Sequence, residues 1–233
     1  MNGAVAAGNR LTAEAGARVL AAGGNAVDAC IGAAFTAAVT EGPLTGPTGG
    51  GFLLAWVDGE ATLLDCFFAA PSRPLGEIED LTIDFGDSTQ SYHSGEGSVA
   101  VPGLVAGLEE AHRRFATVPW AELIEPAIEL ARLGVDTTES QRFLHLILAA
   151  ILQRDDGGRR IYGAVDRIET ADFVATLERL RDAGPAAVPE LIPELADDLA
   201  AYRVQAPEPL RTRIGRHDVL TTPAPASSAA ARS

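Results

Sequence analysis

Gly46-Pro-Thr-Gly-Gly-Gly-Phe-Leu-Leu54 feeds three consecutive glycines straight into an apolar, strand-like run. Glycine-rich loops serve two different ends. They can cradle a phosphate or oxyanion on bare backbone N–H groups, or they can let two stretches of backbone approach closer than a Cβ would allow. Phosphate-binding loops of the P-loop type need a lysine after the glycines and a helix to follow, and dinucleotide-binding loops sit between a strand and a helix. Here the order is helix, loop, strand. All 18 basic residues are arginine, so no lysine is available. The loop therefore reads as a device for close packing and unusual backbone angles.

Working outward, Gly23-Gly24 separates two helical patterns. Thr12 is the expected N-cap of the first, Thr12 to Leu20. Asn25 is the expected cap of the second, with Asp28 placed to reach back toward the cap's own N–H. The second segment, NAVDACIGAAFTAAVTEG, is so rich in Ala, Gly and small apolar residues that a buried core helix is expected. After the glycine loop, FLLAWV and ATLLDCFF flank Asp58-Gly59, a strong hairpin signal. Gly76 to Ser98 is polar and reads as loop with at most a short strand. Helical spacing returns in LVAGLEEAHRRF and in WAELIEPAIELARLG, where Pro126 is expected to kink the helix or open a new one. It continues over Glu139 to Gln153 and Ala171 to Ala183. Two β-like runs, around Arg213 and Gly215, precede a small, Pro/Ala-rich end.

Composition narrows the chemistry. With 233 residues, 47% hydrophobic and 21% charged, the chain has the balance of a folded domain with a sizeable core. A net charge of −14 argues against nucleic-acid partners. No run reaches the roughly 20 apolar residues that span a bilayer, so no membrane partner is expected. The N-terminus lacks a secretory leader pattern, which leaves the location open and favours a cytoplasmic setting. Cys30 and Cys66 both lie in apolar stretches and are expected to be buried thiols. His93, His112, His145 and His217 are dispersed, so neither a metal nor a cofactor is expected. Ser94, Ser227 and Ser228 lack the G-x-S-x-G surroundings of a serine nucleophile. Too little chain follows Thr221-Thr222 for a freed Thr222 to build a site.

Taken in order, the segments resemble the front part of the γ-glutamyltransferase (γ-glutamyltranspeptidase, glutathione hydrolase) family. GAVAAGNRLTAEAGARVLAAGGNAVDACIGAAF is similar to its opening helix pair around GGNAVDA. GPTGGGFLL, LLDCFFAAP, GSVAVPGLVAGLEEAHRRF, PAIELARLG, ADDLAAYRV and VLTTPAPASS resemble successive later blocks, to about Ser228. The resemblance implies a helix-rich α+β fold, part of a four-layer αββα sandwich of the N-terminal-nucleophile type. It implies a self-cleaving precursor whose new N-terminal threonine attacks a γ-glutamyl amide such as glutathione. Its α-amine acts as base, because a threonine hydroxyl is a poor nucleophile until a neighbour takes its proton.

Two departures qualify the resemblance. The family's threonine lies downstream of the last matched block. Residues 1–233 are thus expected to be a single partial domain with a disordered tail over 222–233. No catalytic residue is expected in this chain; it would be inactive without a small-subunit-like segment, whether as a fragment or as a non-catalytic binding or structural relative. The second departure is Phe67, which stands where γ-glutamyl-specific members carry an arginine for the substrate α-carboxylate. Arginine's planar fork makes two charge-assisted hydrogen bonds that phenylalanine cannot. Losing such a contact costs on the order of 2–4 kcal/mol. Phe67 is accordingly expected either to favour an acyl group lacking that carboxylate or simply to fill core.

Overall fold

The computed structural model describes residues 3–164 and 166–223. In chain order its elements are α1 (Arg10–Ala21), α2 (Ala26–Thr40), β1 (Gly51–Val57), β2 (Glu60–Cys66), β3 (Glu79–Asp84), β4 (Thr89–Ser94), α3 (Leu104–Phe115) and α4 (Trp120–Leu133). There follow β5 (Val135–Asp136), α5 (Glu139–Ile147), α6 (Ala149–Leu152), α7 (Asp156–Tyr162), β6 (Arg167–Ile168), α8 (Phe173–Ala183), α9 (Val188–Leu191), α10 (Ala196–Ala201), β7 (Leu210–Ile214) and β8 (His217–Thr221). Each sheet among the described residues is an antiparallel pair: β1 with β2, β3 with β4, β5 with β6, β7 with β8. Among the described residues no helix is long and apolar enough to cross a membrane.

Helix α2 is the hub. Val27, Ile31, Phe35 and Val39 recur every fourth residue and form one fully packed stripe. Against it lie Leu123, Ile124, Ala127 and Ile128 of α4, all fully buried. Phe35 meets the Trp120 ring edge-on at 5.3 Å, and the Trp120 indole donates to the Leu180 carbonyl of α8 at 2.9 Å. Truncating such a residue, as in Phe35→Ala, costs about 3–5 kcal/mol. The same packing carries α4 unbroken through Pro126. The lost hydrogen bond and ring clash are worth about 3 kcal/mol, and the buried stripe on either side of the proline offsets them.

The GGNAVDA motif is a structural lock. Asn25 caps α2 by accepting from the Val27 and Asp28 amides, and its own amide group donates to the Phe115 carbonyl. Asp28, fully buried, accepts from the Asn25 amide, the Thr117 amide and hydroxyl, and the Val118 amide. Burial alone would raise its pKa. The hydrogen bonds from Asn25, Thr117 and Val118 outweigh that and hold the carboxyl below its ordinary value.

Several expectations are corrected. Asn9, not Thr12, caps α1 by accepting from the Leu11 amide. Thr12 is instead buried inside the helix and shares a hydrogen bond with Thr40 across to α2. Gly76 to Ser98 holds a six-residue-per-strand hairpin. Its strands are mostly exposed and polar, so composition alone looks like loop. The helix from Glu139 breaks at Leu148, and α7 follows where no helix was expected. Finally α2 is not buried all round: Ala26 and Cys30 lie on an exposed face, so only Cys66 is a buried thiol. Of the proposed tail, residues 224–233, with Ser227 and Ser228, lie outside the described residues.

Candidate functional site

The glycine loop does what its sequence position suggested. Gly49's carbonyl accepts from the Gly103 and Leu104 amides at 3.1 and 3.0 Å, so the loop satisfies the exposed N–H groups at the start of α3. A Cβ on Gly50 would lie 2.9 Å from the Phe68 nitrogen. A Cβ on Gly103 would collide with the Tyr202 hydroxyl, and one on Gly107 with Cys66. Glycine at these points lets loop, hairpin and helix meet with backbone nearly in contact.

What they meet around is the end of β2. The Cys66 thiol points to α3 and donates to the Gly51 carbonyl at 3.1 Å. Burial is the main reason its pKa is pushed up to about 11, which makes it packing material and not a nucleophile. The next residue, Phe67, faces the opposite way. Its amide donates to the Asp65 side chain at 3.0 Å and its carbonyl accepts from the Tyr202 hydroxyl at 2.7 Å. Burial raises that phenol to about 12, so it stays a donor. Isolated bridges Asp65–Gln205 and Ala69–Val101 pin the chain on either side of Phe67-Phe68. The backbone is therefore fixed while the ring is displayed.

The Phe67 ring stacks on Phe52 at 5.4 Å with the planes 14° apart, and meets Phe68 edge-on at 5.1 Å. It remains 43% exposed. Further along the same outer face of the hairpin, Leu54 and Trp56 are also exposed, Trp56 by 60%. The inner face, carrying Ala55, Leu64 and Cys66, packs into the helical core. Phe67 is thus a half-exposed surface residue at one end of an apolar sheet face.

The other sequence candidates do not converge. His93 pairs with Asp80 at 2.7 Å on the exposed β3–β4 hairpin. His112 bonds the Val118 carbonyl. His145 is buried in α5, and His217 is exposed on β8. Thr221 pairs with Leu210 in the last ladder. Among the described residues no three His, Cys, Asp or Glu side chains are grouped to hold a metal. Tyr202 was not singled out from sequence. The Asp-Leu-Ala-x-Tyr block located it, but only the fold brings it 135 positions back to Phe67.

The Gamma-glutamyltranspeptidase family profile matches residues 12–188. The chain belongs to the γ-glutamyltranspeptidase family. A glutathione hydrolase proenzyme of Pseudomonas aeruginosa is 33% identical over 243 aligned residues, which cover 97% of this chain and 43% of the relative. An acylase ACY 1 proenzyme of Pseudomonas sp. strain SE83 is 32% identical, with 97% and 45% covered. The γ-glutamyltranspeptidase from Pseudomonas nitroreducens, solved with L-DON, superposes with a TM-score of 0.80 at 30% identity, covering 97% of this chain and 72% of that one. The chain spans less than half the length of the two curated relatives. The chain's own architecture is helix-rich α+β with small sheets, and it superposes on the family's fold.

Proposed function

We propose that this chain forms the helical layer and one sheet wall of an N-terminal-nucleophile amide hydrolase or acyltransferase, and that a second segment supplies the threonine nucleophile. The observation that carries the reading is the one-sided β1–β2 hairpin. Its inner face, with Ala55, Leu64 and Cys66, is buried toward α3, while its outer face leaves Leu54 and Trp56 exposed and Phe52 half-buried around the buried Leu63. Among the described residues β1 has a ladder partner on one edge only. A second sheet laid on that face would bury it and complete the four-layer αββα sandwich. Coverage of less than half of each curated relative supports the need for more chain.

Within that enzyme Phe67 lines the acyl site and selects an acyl group lacking a free α-carboxylate, in place of a γ-glutamyl group. On its own the chain is inactive. The test is to assay the purified chain with γ-glutamyl and simple acyl anilides, alone and together with the nucleophile-bearing segment read from the same locus. Turnover only in the mixture is expected. Turnover by the chain alone, or no complex with that segment, sinks the reading.

A further inference from the structure

Residues 137–164 leave the helical body as a lobe. Its base is closed by the short β5–β6 ladder, in which Val135 pairs with Ile168 and Asp136 with Arg167, and by the Thr137 amide donating to the Asp166 carbonyl. Val135 and Ile168 are buried, so the base is anchored in the core. The lobe's first helix, α5, is attached quite differently. Its buried residues are Gln141 and His145, both polar, while Phe143 and Leu146 are 56% and 65% exposed. Gln141 donates to the Thr40 carbonyl at the end of α2 and accepts from the Asn9 side chain. His145 sits edge-on to Tyr162 of α7 at 5.3 Å, and the Tyr162 hydroxyl lies against Gly42 just beyond α2.

His145 is fully buried, and neither ring nitrogen has a hydrogen-bond partner. A neutral imidazole tolerates this at the cost of its unmet donor and acceptor. An imidazolium would need acceptors for two N–H groups and would carry an uncompensated charge. The titratable and charged groups on the elements meeting there do not supply them. Tyr162 presents its ring, and Glu41, at the end of α2, accepts from Thr12. On α5 itself, Arg142 donates to the Thr137 carbonyl, and Glu139 makes no hydrogen bond to the imidazole. On α7, Arg159 pairs with Asp156 and Arg160 with Asp172.

We infer that the 137–164 lobe is an acid-released flap, hinged at the β5–β6 ladder and tethered to β3 by the Arg154–Glu79 pair. It is docked on the end of α2 through Gln141 and through Tyr162, against which neutral His145 packs. Protonation takes the imidazole into water and lifts α5 to α7 from Thr40 and Gly42, while the α2–α4 core stays folded. The direction follows from burial, which depresses the docked imidazole below its ordinary 6.5. The released lobe then binds more protons than the docked one. Docking is complete above about 6.5 and weakens by up to about tenfold for each pH unit below it, until the docked imidazole itself titrates.

Amide hydrogen exchange of the whole chain tests this, after normalising for the intrinsic effect of pH. Peptides from 139–162 are expected to lose protection between about pH 7.5 and about pH 5.5, while peptides from α2 and α4 keep theirs. His145→Phe, apolar and unable to titrate, is expected to abolish the pH dependence. Unchanged protection of 139–162 in the native chain, or an identical acid loss in the variant, overturns the inference. Should the variant not fold, an NMR titration of the His145 imidazole in the native chain decides. Proton uptake in step with loss of 139–162 protection supports the flap, and ordinary titration with protection unchanged refutes it.

Discussion

The carboxylate of Asp28 holds the amide and the hydroxyl of Thr117, 89 positions further along the chain, at 3.0 and 2.7 Å. It therefore joins the start of α2 to the turn between α3 and α4. Asp28→Ala strands those donors in the interior, where each unmet group costs about 1–3 kcal/mol. A loss of about 3 kcal/mol or more in urea unfolding is expected. The pH sign follows from the depressed pKa. The stabilisation is complete above the unfolded carboxyl's 3.8 and disappears as pH falls through the lower folded value. Comparing native and Asp28→Asn proteins across that acid range checks it, since only the native chain should show this component.

The packing role of the glycines predicts unequal tolerance between neighbouring loop glycines and the one that faces them from α3. Gly51→Ala meets nothing within 4 Å and should change stability by less than about 0.5 kcal/mol. Gly107→Ala drives a methyl into Cys66 and should cost about 1–3 kcal/mol. Gly50→Ala, confronting the Phe68 backbone, should fall on the costly side. Denaturant midpoints of the three variants decide the matter; equal effects would contradict the close-approach reading.

These residues also mark how far the sequence can be read. Asn25, Asp28 and Asp58-Gly59 act through neighbours a few positions away, so their caps and turn are legible locally. Asp58 and Gly59 indeed adopt the positive φ values, 52° and 87°, that such a turn requires. Thr12 was misread because a threonine can cap its own helix or bond across to another, and only the position of Thr40 chooses. The open face of α2 was misread for a related reason. Small residues permit close packing, but they do not supply the element that packs. Phe67 was singled out by its motif, whereas its stack on Phe52 and its tether to Tyr202 depend on contacts between distant segments.

The two thiols should separate chemically. Cys30 is exposed on α2 and Cys66 buried beneath the hairpin, with burial pushing the latter up to about 11. Partial desolvation by its apolar neighbours raises the accessible Cys30 thiol as well, so labelling belongs at mildly alkaline pH. One equivalent of maleimide should react with the native chain and two in denaturant, as read by intact mass. Equal native labelling of both would mean that the hairpin opens from α3.

Phe67→Arg is the substitution that separates selectivity from packing. The native ring is half exposed, so losing its stack on Phe52 should cost only about 1 kcal/mol in stability. In the chain assembled with the proposed nucleophile segment, the new guanidinium could grip an α-carboxylate bidentately. Restoring a contact at the low end, about 2 kcal/mol, shifts the ratio of kcat/KM toward γ-glutamyl over simple acyl anilides by roughly 30-fold. Tyr202→Phe frees the Phe67 carbonyl and should blur the proposed preference without reversing it, because the ring stays aromatic while its backbone anchor is lost. If Phe67 only fills space, Phe67→Arg will lower the unfolding midpoint and leave the selectivity ratio where it was.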